Sequence, residues 1–138
     1  MMGGRGYHII LIEDNKGDAH LLEEILADTG LAHEVDWFRD GPSAMKFFSD
    51  GGAADLIILD LNLPGMSGHD LISFFTQQRI CVETPIAVVT GSTYPEDIAR
   101  AKRGCVDRYL IKPMTLKEME DTTAALREML LGERTRNC

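Results

Sequence analysis

The sequence has few of the residues that indicate a disulfide, zinc or membrane protein. Its three cysteines, Cys81, Cys105 and Cys138, are odd in number and form no Cys-x-x-Cys pair, so neither a disulfide framework nor a zinc site is predicted. No apolar run reaches the roughly 18–20 residues that span a bilayer. The N-terminal stretch MMGGRGYHII lacks the apolar core and cleavage site of a secretory signal. We therefore expect a cytoplasmic protein with reduced thiols and no membrane partner.

Basic side chains are also too few for a nucleic-acid binder. The 138 residues contain 14 Lys and Arg against 22 Asp and Glu, for a formal net charge of −8. A protein that binds the phosphate backbone needs a basic face, so we expect no nucleic-acid partner. The length fits one compact domain with a substantial core.

Five short aliphatic runs alternate with amphipathic segments. The runs are YHIILIE (7–13), HEVDWFR (33–39), DLIILD (55–60), PIAVVT (85–90) and VDRYLI (106–111). The first, third and fourth are continuously apolar, as in strands covered on both faces, and the second is mixed, as at a sheet edge. This alternation predicts an α/β fold with a doubly wound parallel sheet.

The segments between the runs have apolar stripes at helical spacing. The predicted stripes are Leu22, Ile25, Leu26 and Thr29; Ala44, Phe47 and Phe48; Leu71, Ile72 and Phe75; Ile98 and Ala101; and Leu116, Met119, Thr123, Leu126 and Leu130. Pro42 and Pro95 lie where helices start, a position at which the missing proline N–H costs nothing. Asp18 is a predicted cap of the first helix. Thr115 is predicted to cap the last helix, in a capping box with Glu118.

Polar residues follow four of the predicted strands at their carboxyl ends. They are Glu13-Asp14, Asp60, Thr90 and Lys112. Because ligands bind at the carboxyl ends of the strands in such sheets, we expect these side chains to converge. Clustered carboxylates repel one another, and a bound Mg²⁺ relieves the repulsion through the oxygen ligands that it prefers. The sequence therefore predicts a Mg²⁺ site.

The same cluster has the groups that phosphoryl transfer to a carboxylate needs. Asp60 stands alone at the end of a central strand and is the candidate nucleophile, which would form an aspartyl phosphate. Such a reaction needs mainly positioning and charge neutralisation. The Lys112 ammonium and the Thr90 hydroxyl can supply these to phosphoryl oxygens.

Four motifs in order resemble the receiver domain of two-component response regulators: LIEDN (11–15), ILDLNLPGMSG (58–68), VVTGS (88–92) and YLIKP (109–113). The resemblance implies the following roles: Glu13 and Asp14 as the acidic metal pair, in place of the more usual two aspartates; Asp60 as phosphoacceptor; Asn62 as donor of a backbone carbonyl to Mg²⁺; Thr90 as switch hydroxyl; Tyr109 as the aromatic that turns inward on activation; Lys112 as phosphoryl-binding lysine; and Lys112–Pro113 as a cis peptide bond.

The resemblance also implies a flavodoxin-like (βα)5 fold with strand order 2-1-3-4-5 over residues 7–131, between tails at 1–6 and 132–138. The implied function is that of a single-domain response regulator that accepts a phosphoryl group on Asp60 from a sensor histidine kinase or a phosphotransfer protein. Output is then expected through contact of the fourth helix, fifth strand and fifth helix with a downstream protein, and homodimer formation on activation is left open. Within the family, the sequence resembles the single-domain regulators paired with bacterial phytochrome-type kinases.

Other functions use related residues. A phosphohydrolase with an Asp nucleophile commonly has a second Asp two residues on as general acid, and this chain has Asn62 there, which cannot exchange a proton in that role. A flavin-binding module would need a phosphate loop after the first strand, where this chain has the acidic EDNKGDA. A degenerate receiver that acts only as a scaffold would not need Asp60, Thr90 and Lys112 together.

Some candidate residues have structural alternatives. Tyr109 could be a packing residue of its strand, and Glu13-Asp14 could cap the first helix. The four histidines, His8, His20, His33 and His69, share no metal-ligand spacing and are predicted to be surface or strand residues.

Overall fold

The computed structural model describes residues 6–132, so most of both predicted tails lies outside the described residues. Within this range the strands are β1 (Tyr7–Ile12), β2 (His33–Phe38), β3 (Leu56–Leu59), β4 (Ile86–Thr90) and β5 (Arg108–Ile111). The helices are α1 (Lys16–Asp28), α2 (Gly41–Ser49), α3 (Gly68–Gln77), α4 (Pro95–Arg103) and α5 (Leu116–Leu131), and one 3₁₀ turn lies at Ile80–Val82. The predicted alternation is confirmed, although β5 starts two residues later than expected.

The strands form one parallel sheet in the order β2-β1-β3-β4-β5, which confirms the predicted fold class. The register places Ile12 of β1 beside Leu59 of β3, and the backbone N–H of Asp60 donates to the Ile12 carbonyl (3.1 Å). The residues that follow β1 and β3 therefore emerge side by side. This is the point at which the strand order reverses, where doubly wound sheets place their ligand sites.

Two apolar layers cover the sheet. Strands β1 and β3 have no solvent exposure at any position from Ile9 to Ile12 or from Leu56 to Leu59. Alternate residues point to opposite faces, so one half of each strand packs against α1 and α5 and the other half against α2, α3 and α4. Burial on both faces explains why these strands are continuously apolar.

Most predicted helix stripes are buried. The predicted positions that are buried are Leu22, Ile25, Leu26, Thr29, Ala44, Phe48, Leu71, Ile72, Phe75, Ala101, Leu126 and Leu130. Leu116 was expected in the α5 stripe, but it is 72% exposed. The prediction is wrong because Leu116 is the first residue of α5, whereas the buried α5 residues, Thr122, Leu126 and Leu130, lie further along the helix.

Two cap predictions need correction. Asn15, not Asp18, caps α1, since its Oδ1 accepts from the Asp18 backbone N–H (2.9 Å). Thr115 does cap α5, with its Oγ1 accepting from the Glu118 N–H (3.1 Å). The Glu118 carboxylate, however, accepts from the N–H of Met114 (2.7 Å), one residue before the cap, so the reciprocal half of the capping box is displaced.

Within residues 6–132, no helix is both long and apolar enough to cross a bilayer.

Candidate functional site

Asp60 is held at the end of β3 by three hydrogen bonds. Its Oδ1 accepts from the Thr90 hydroxyl (2.7 Å) and from the Asn62 backbone N–H (3.2 Å), and its Oδ2 accepts from Lys112 Nζ (2.8 Å). The residue is only 4% exposed. Since β4 ends at Thr90 and β5 ends just before Lys112, the sheet itself brings these donors to the carboxylate.

The loop after Asp60 requires glycine at two positions. Gly65 has a φ of +73°, in the left-handed region that side chains with a Cβ disfavour. A Cβ on Gly68 would lie 2.5 Å from the Asp60 carbonyl oxygen, so only glycine lets α3 begin this close to the carboxylate. The Gly68 N–H donates to the Leu61 carbonyl (2.8 Å) and ties the helix start to the strand end.

Glu13 is a buried carboxylate whose charge is incompletely compensated. It is 1% exposed, and its Oε2 accepts from the Asn15 N–H (3.1 Å). Its Oε1 lies 3.2 Å from Lys112 Nζ without a hydrogen bond of good geometry, and it is the one buried side-chain oxygen or nitrogen without a hydrogen-bond partner in the part of the chain described. Burial raises the pKa of Glu13 to about 7; Asp60 adds to the rise, and the Asn15 N–H and Lys112 oppose it.

Glu13 is one of three carboxylates that converge at the ends of β1 and β3. Glu13, Asp14 and Asp60 each offer one oxygen within 4.8 Å of the others, and Asp14 is exposed to solvent. An all-oxygen donor set with one open side fits a hard divalent cation that keeps water ligands. The cluster predicted at the strand ends is thus present.

Lys112 is the cation of the site. Its Nζ contacts Asp60 Oδ2 (2.8 Å), Asp18 Oδ2 (2.6 Å) and Glu13 Oε1 (3.2 Å). Burial alone lowers the pKa of Lys112, but the hydrogen bonds to Asp18 and Asp60 outweigh burial, so the pKa lies above its usual value and the group stays charged. One ammonium therefore faces three carboxylates.

The Thr90 side of the site leads to Tyr109. The Ser92 N–H donates to Thr90 Oγ1 (3.4 Å), and the Tyr109 hydroxyl donates to the Ser92 carbonyl (2.9 Å). Burial raises the pKa of Tyr109 above its ordinary value, so the hydroxyl remains a donor at neutral pH. The structure thus brings Tyr109 near the predicted switch hydroxyl, and its role in switching stays a prediction.

The peptide bond between Lys112 and Pro113 is trans, as are all the peptide bonds within residues 6–132. The expected cis bond is therefore wrong. The trans form is the lower-energy one by about 0.5–1 kcal/mol for a bond to proline. Lys112 reaches all three carboxylates from this trans backbone.

The sequence prediction missed two sets of contacts. Asp18 was expected to cap α1, but its side chain pairs with Lys112; its place in the first turn of α1, just after the acidic pair, was the available signal. His69 was expected on the surface or in a strand, but it lies on α3 with 7% exposure, and its Nε2 contacts Asp97 (3.0 Å). Asp97 also accepts from the Ser92 hydroxyl (2.5 Å), which links the loop after β4 to α3 and α4.

Comparisons with known proteins agree with this architecture. Residues 9–124 match the family described as "Response regulator receiver domain". The chain is 33% identical over 129 residues to the probable methanogenesis regulatory protein FilR2 of Methanothrix harundinacea, covering 90% of this chain and 83% of that protein. It is 33% identical over 117 residues to response regulator Rcp1 of Synechocystis, covering 80% of each.

Solved structures give the same result. The phosphorylated cyanobacterial phytochrome response regulator RcpA superposes with a TM-score of 0.81 at 30% identity, covering 96% of this chain and 99% of that chain. The Mn²⁺-bound form of Rcp1 superposes with a TM-score of 0.78 at 30% identity, over the same shares. Fold, strand-end cluster and sequence likeness agree, and the chain belongs to the response regulator receiver domain family.

Proposed function

We propose that this chain is a phosphoacceptor switch of a two-component pathway, in which Asp60 receives a phosphoryl group from the phosphohistidine of a sensor histidine kinase or phosphotransfer protein. The observation that carries the proposal is the Asp60 carboxylate, almost fully buried yet bonded to both Lys112 Nζ and Thr90 Oγ1. Both donors are groups that stabilise phosphoryl oxygens.

The step forms one bond and breaks one. An Asp60 carboxylate oxygen attacks phosphorus, the bond from phosphorus to the donor nitrogen or oxygen breaks, and the donor leaves with the bonding electrons. A carboxylate nucleophile, unlike a hydroxyl, loses no proton when it attacks, so the step needs no general base. Lys112 and Thr90 donate to the transferred group and compensate the charge that gathers on its oxygens.

Mg²⁺ is the cofactor that we propose for the carboxylate cluster. Glu13, Asp14 and Asp60, with the backbone carbonyl of Asn62, would hold it. The buried Glu13 Oε1, which accepts no hydrogen bond, is free to be one of the ligands. When bound, the ion supplies charge neutralisation for a phosphoryl oxygen and for the carboxylates themselves.

The partners follow from the same proposal. Likeness to Rcp1 and to the phytochrome response regulator RcpA favours a phytochrome-type histidine kinase as phosphodonor, and hence a cytoplasmic location. We propose that output passes through protein contact at the face formed by α4, β5 and α5, with homodimer formation on activation as one form of that contact. The proposed chemistry is phosphorylation and dephosphorylation of the chain's own Asp60, not turnover of a separate substrate.

Intact-protein mass spectrometry tests the function. After incubation with acetyl phosphate and Mg²⁺, the parent should gain one phosphoryl group, and it should gain none in EDTA. Asp60→Asn should gain none, whereas Asp50→Asn, which removes an exposed carboxylate at the C-terminal cap of α2, should behave as the parent. A parent that acquires no adduct and does not bind beryllofluoride, or an adduct that persists in Asp60→Asn, would refute the proposal.

A further inference from the structure

Asp18 makes the shortest contact to the lysine of the site. Its Oδ2 lies 2.6 Å from Lys112 Nζ, compared with 2.8 Å for Asp60 and 3.2 Å for Glu13. Asp18 lies in the first turn of α1, about one-third exposed, and the contact joins residues 94 positions apart. It is not one of the three carboxylates that converge as a candidate cation site. Asp18 therefore contacts the lysine but lies outside the carboxylate cluster of Glu13, Asp14 and Asp60.

The other two carboxylates are committed elsewhere by the proposed function. Asp60 becomes an acyl phosphate and loses the charge on its carboxylate, while Glu13 belongs to the set that would hold Mg²⁺. Of the three carboxylates that contact Lys112, Asp18 is therefore the one that the proposed chemistry neither modifies nor assigns to the cation.

We propose that Asp18 is a positioning residue for phosphoryl transfer, which acts by holding the Lys112 ammonium beside the phosphorylated end of β3. The inference rests on the proposed function of Asp60. Lysine is a flexible four-carbon chain with a point charge, so its contribution to a transition state depends on being fixed before the group arrives. Asp18 fixes it from α1, an element that packs on the sheet through residues such as Leu22 and Ile25.

The negative charge of Asp18 also opposes an anionic phosphodonor, and the two effects have opposite signs. Asp18 is directly paired with Lys112 and one-third exposed, so its field at the donor is both neutralised and screened by solvent. Positioning of Lys112 is not screened in this way. The positioning effect is therefore expected to exceed the repulsion, and removal of the carboxylate should slow phosphorylation.

The test compares Asp18→Asn, Asp18→Glu and Glu24→Gln. Asparagine keeps the shape of Asp18 and its backbone N–H to the Asn15 cap but loses the ion pair. Glu24→Gln removes one exposed charge from the same helix. With acetyl phosphate and saturating Mg²⁺, Asp18→Asn should be phosphorylated about three- to tenfold more slowly, the range expected when one long side chain is no longer immobilised. Asp18→Glu should recover part of the rate, and Glu24→Gln should match the parent.

A second readout separates positioning from metal binding. Trp37 is the only tryptophan in the sequence, and its indole N–H donates to the Glu13 carbonyl (2.6 Å), so we expect its fluorescence to change when Mg²⁺ binds at the cluster. Asp18→Asn should bind Mg²⁺ with the parent's affinity. An unchanged or faster rate in Asp18→Asn, or a slower rate explained by weaker Mg²⁺ binding, overturns the positioning role while parent phosphorylation leaves the function of Asp60 intact. A parent that is never phosphorylated overturns both.

Discussion

Replacing Glu13 with glutamine should stabilise the metal-free protein above neutral pH. Burial raises the pKa of Glu13 from 4.5 to about 7, so the folded state binds a proton that the unfolded state has already lost. The stability that the neutral form contributes is fully present below pH 4.5 and disappears as the pH rises to about 7. Glutamine resembles the neutral acid and does not titrate.

The expected size follows from the pKa difference. Each pKa unit corresponds to about 1.4 kcal/mol, so between pH 5 and pH 8 the parent should lose about 2–3 kcal/mol relative to Glu13→Gln. The assay is urea unfolding in EDTA at several pH values, with Glu24→Gln as a control that removes an exposed charge from α1. The control should follow the parent across the range.

Added Mg²⁺ should stabilise the parent more than it stabilises Glu13→Gln. A cation that binds the folded cluster stabilises it by mass action, and the ionised Glu13 carboxylate is one of its proposed ligands. At pH 8 the parent should therefore gain more unfolding free energy from added Mg²⁺ than Glu13→Gln does. If the stabilities of the two proteins in EDTA depend on pH in the same way, ionisation of Glu13 does not destabilise the fold. That result would refute the effect expected from its burial.

Four further substitutions test the packing of the fold and of the loop after Asp60. Leu126→Ala, at a position with no exposure, should cost about 2–5 kcal/mol in urea unfolding, whereas Leu116→Ala, at 72% exposure, should stay within about 0.5 kcal/mol. Phe75→Ala should cost about 3–5 kcal/mol in the same assay, since the ring is fully buried among α2 and α3 side chains. Gly68→Ala should lower both the melting temperature and the phosphorylation rate, because the added Cβ would lie 2.5 Å from the Asp60 carbonyl oxygen; an unchanged rate would show that the loop yields without moving the carboxylate.

The sequence was sufficient to predict the position of site residues that lie at the ends of their own strands. Asp60, Thr90 and Lys112 could be brought together without a structure, because parallel strands end at one edge and each of these residues ends its strand or follows it directly. The strand order came from family resemblance, since an alternation of strands and helices fixes which strands are parallel but not which are neighbours.

The sequence was insufficient where a side chain has several partners within reach. Aspartate near the start of a helix is a common cap, which is why Asp18 was expected to cap α1. Asn15 takes that position, and the Asp18 carboxylate pairs with Lys112, 94 residues away in sequence. Leu116 fits the helical stripe of α5, yet periodicity does not say at which turn a helix meets its sheet. Both errors arise because a local sequence pattern does not show which residues from distant parts of the chain lie close in the folded protein.

The arrangement of charges explains why we expect a cation at this site: the carboxylates that would bind it destabilise the metal-free fold. Glu13, Asp18 and Asp60 contact a single ammonium on Lys112, and Asp14 adds a fourth carboxylate beside them, so the site has more negative charge than its own cation compensates. The cost falls on Glu13, whose Oε1 is buried without a hydrogen bond and whose pKa is raised to about 7. An amide side chain there would stabilise the metal-free fold but would remove a proposed cation ligand. On the proposed function, stability of the metal-free fold and cation binding therefore make opposite demands on the same carboxylate.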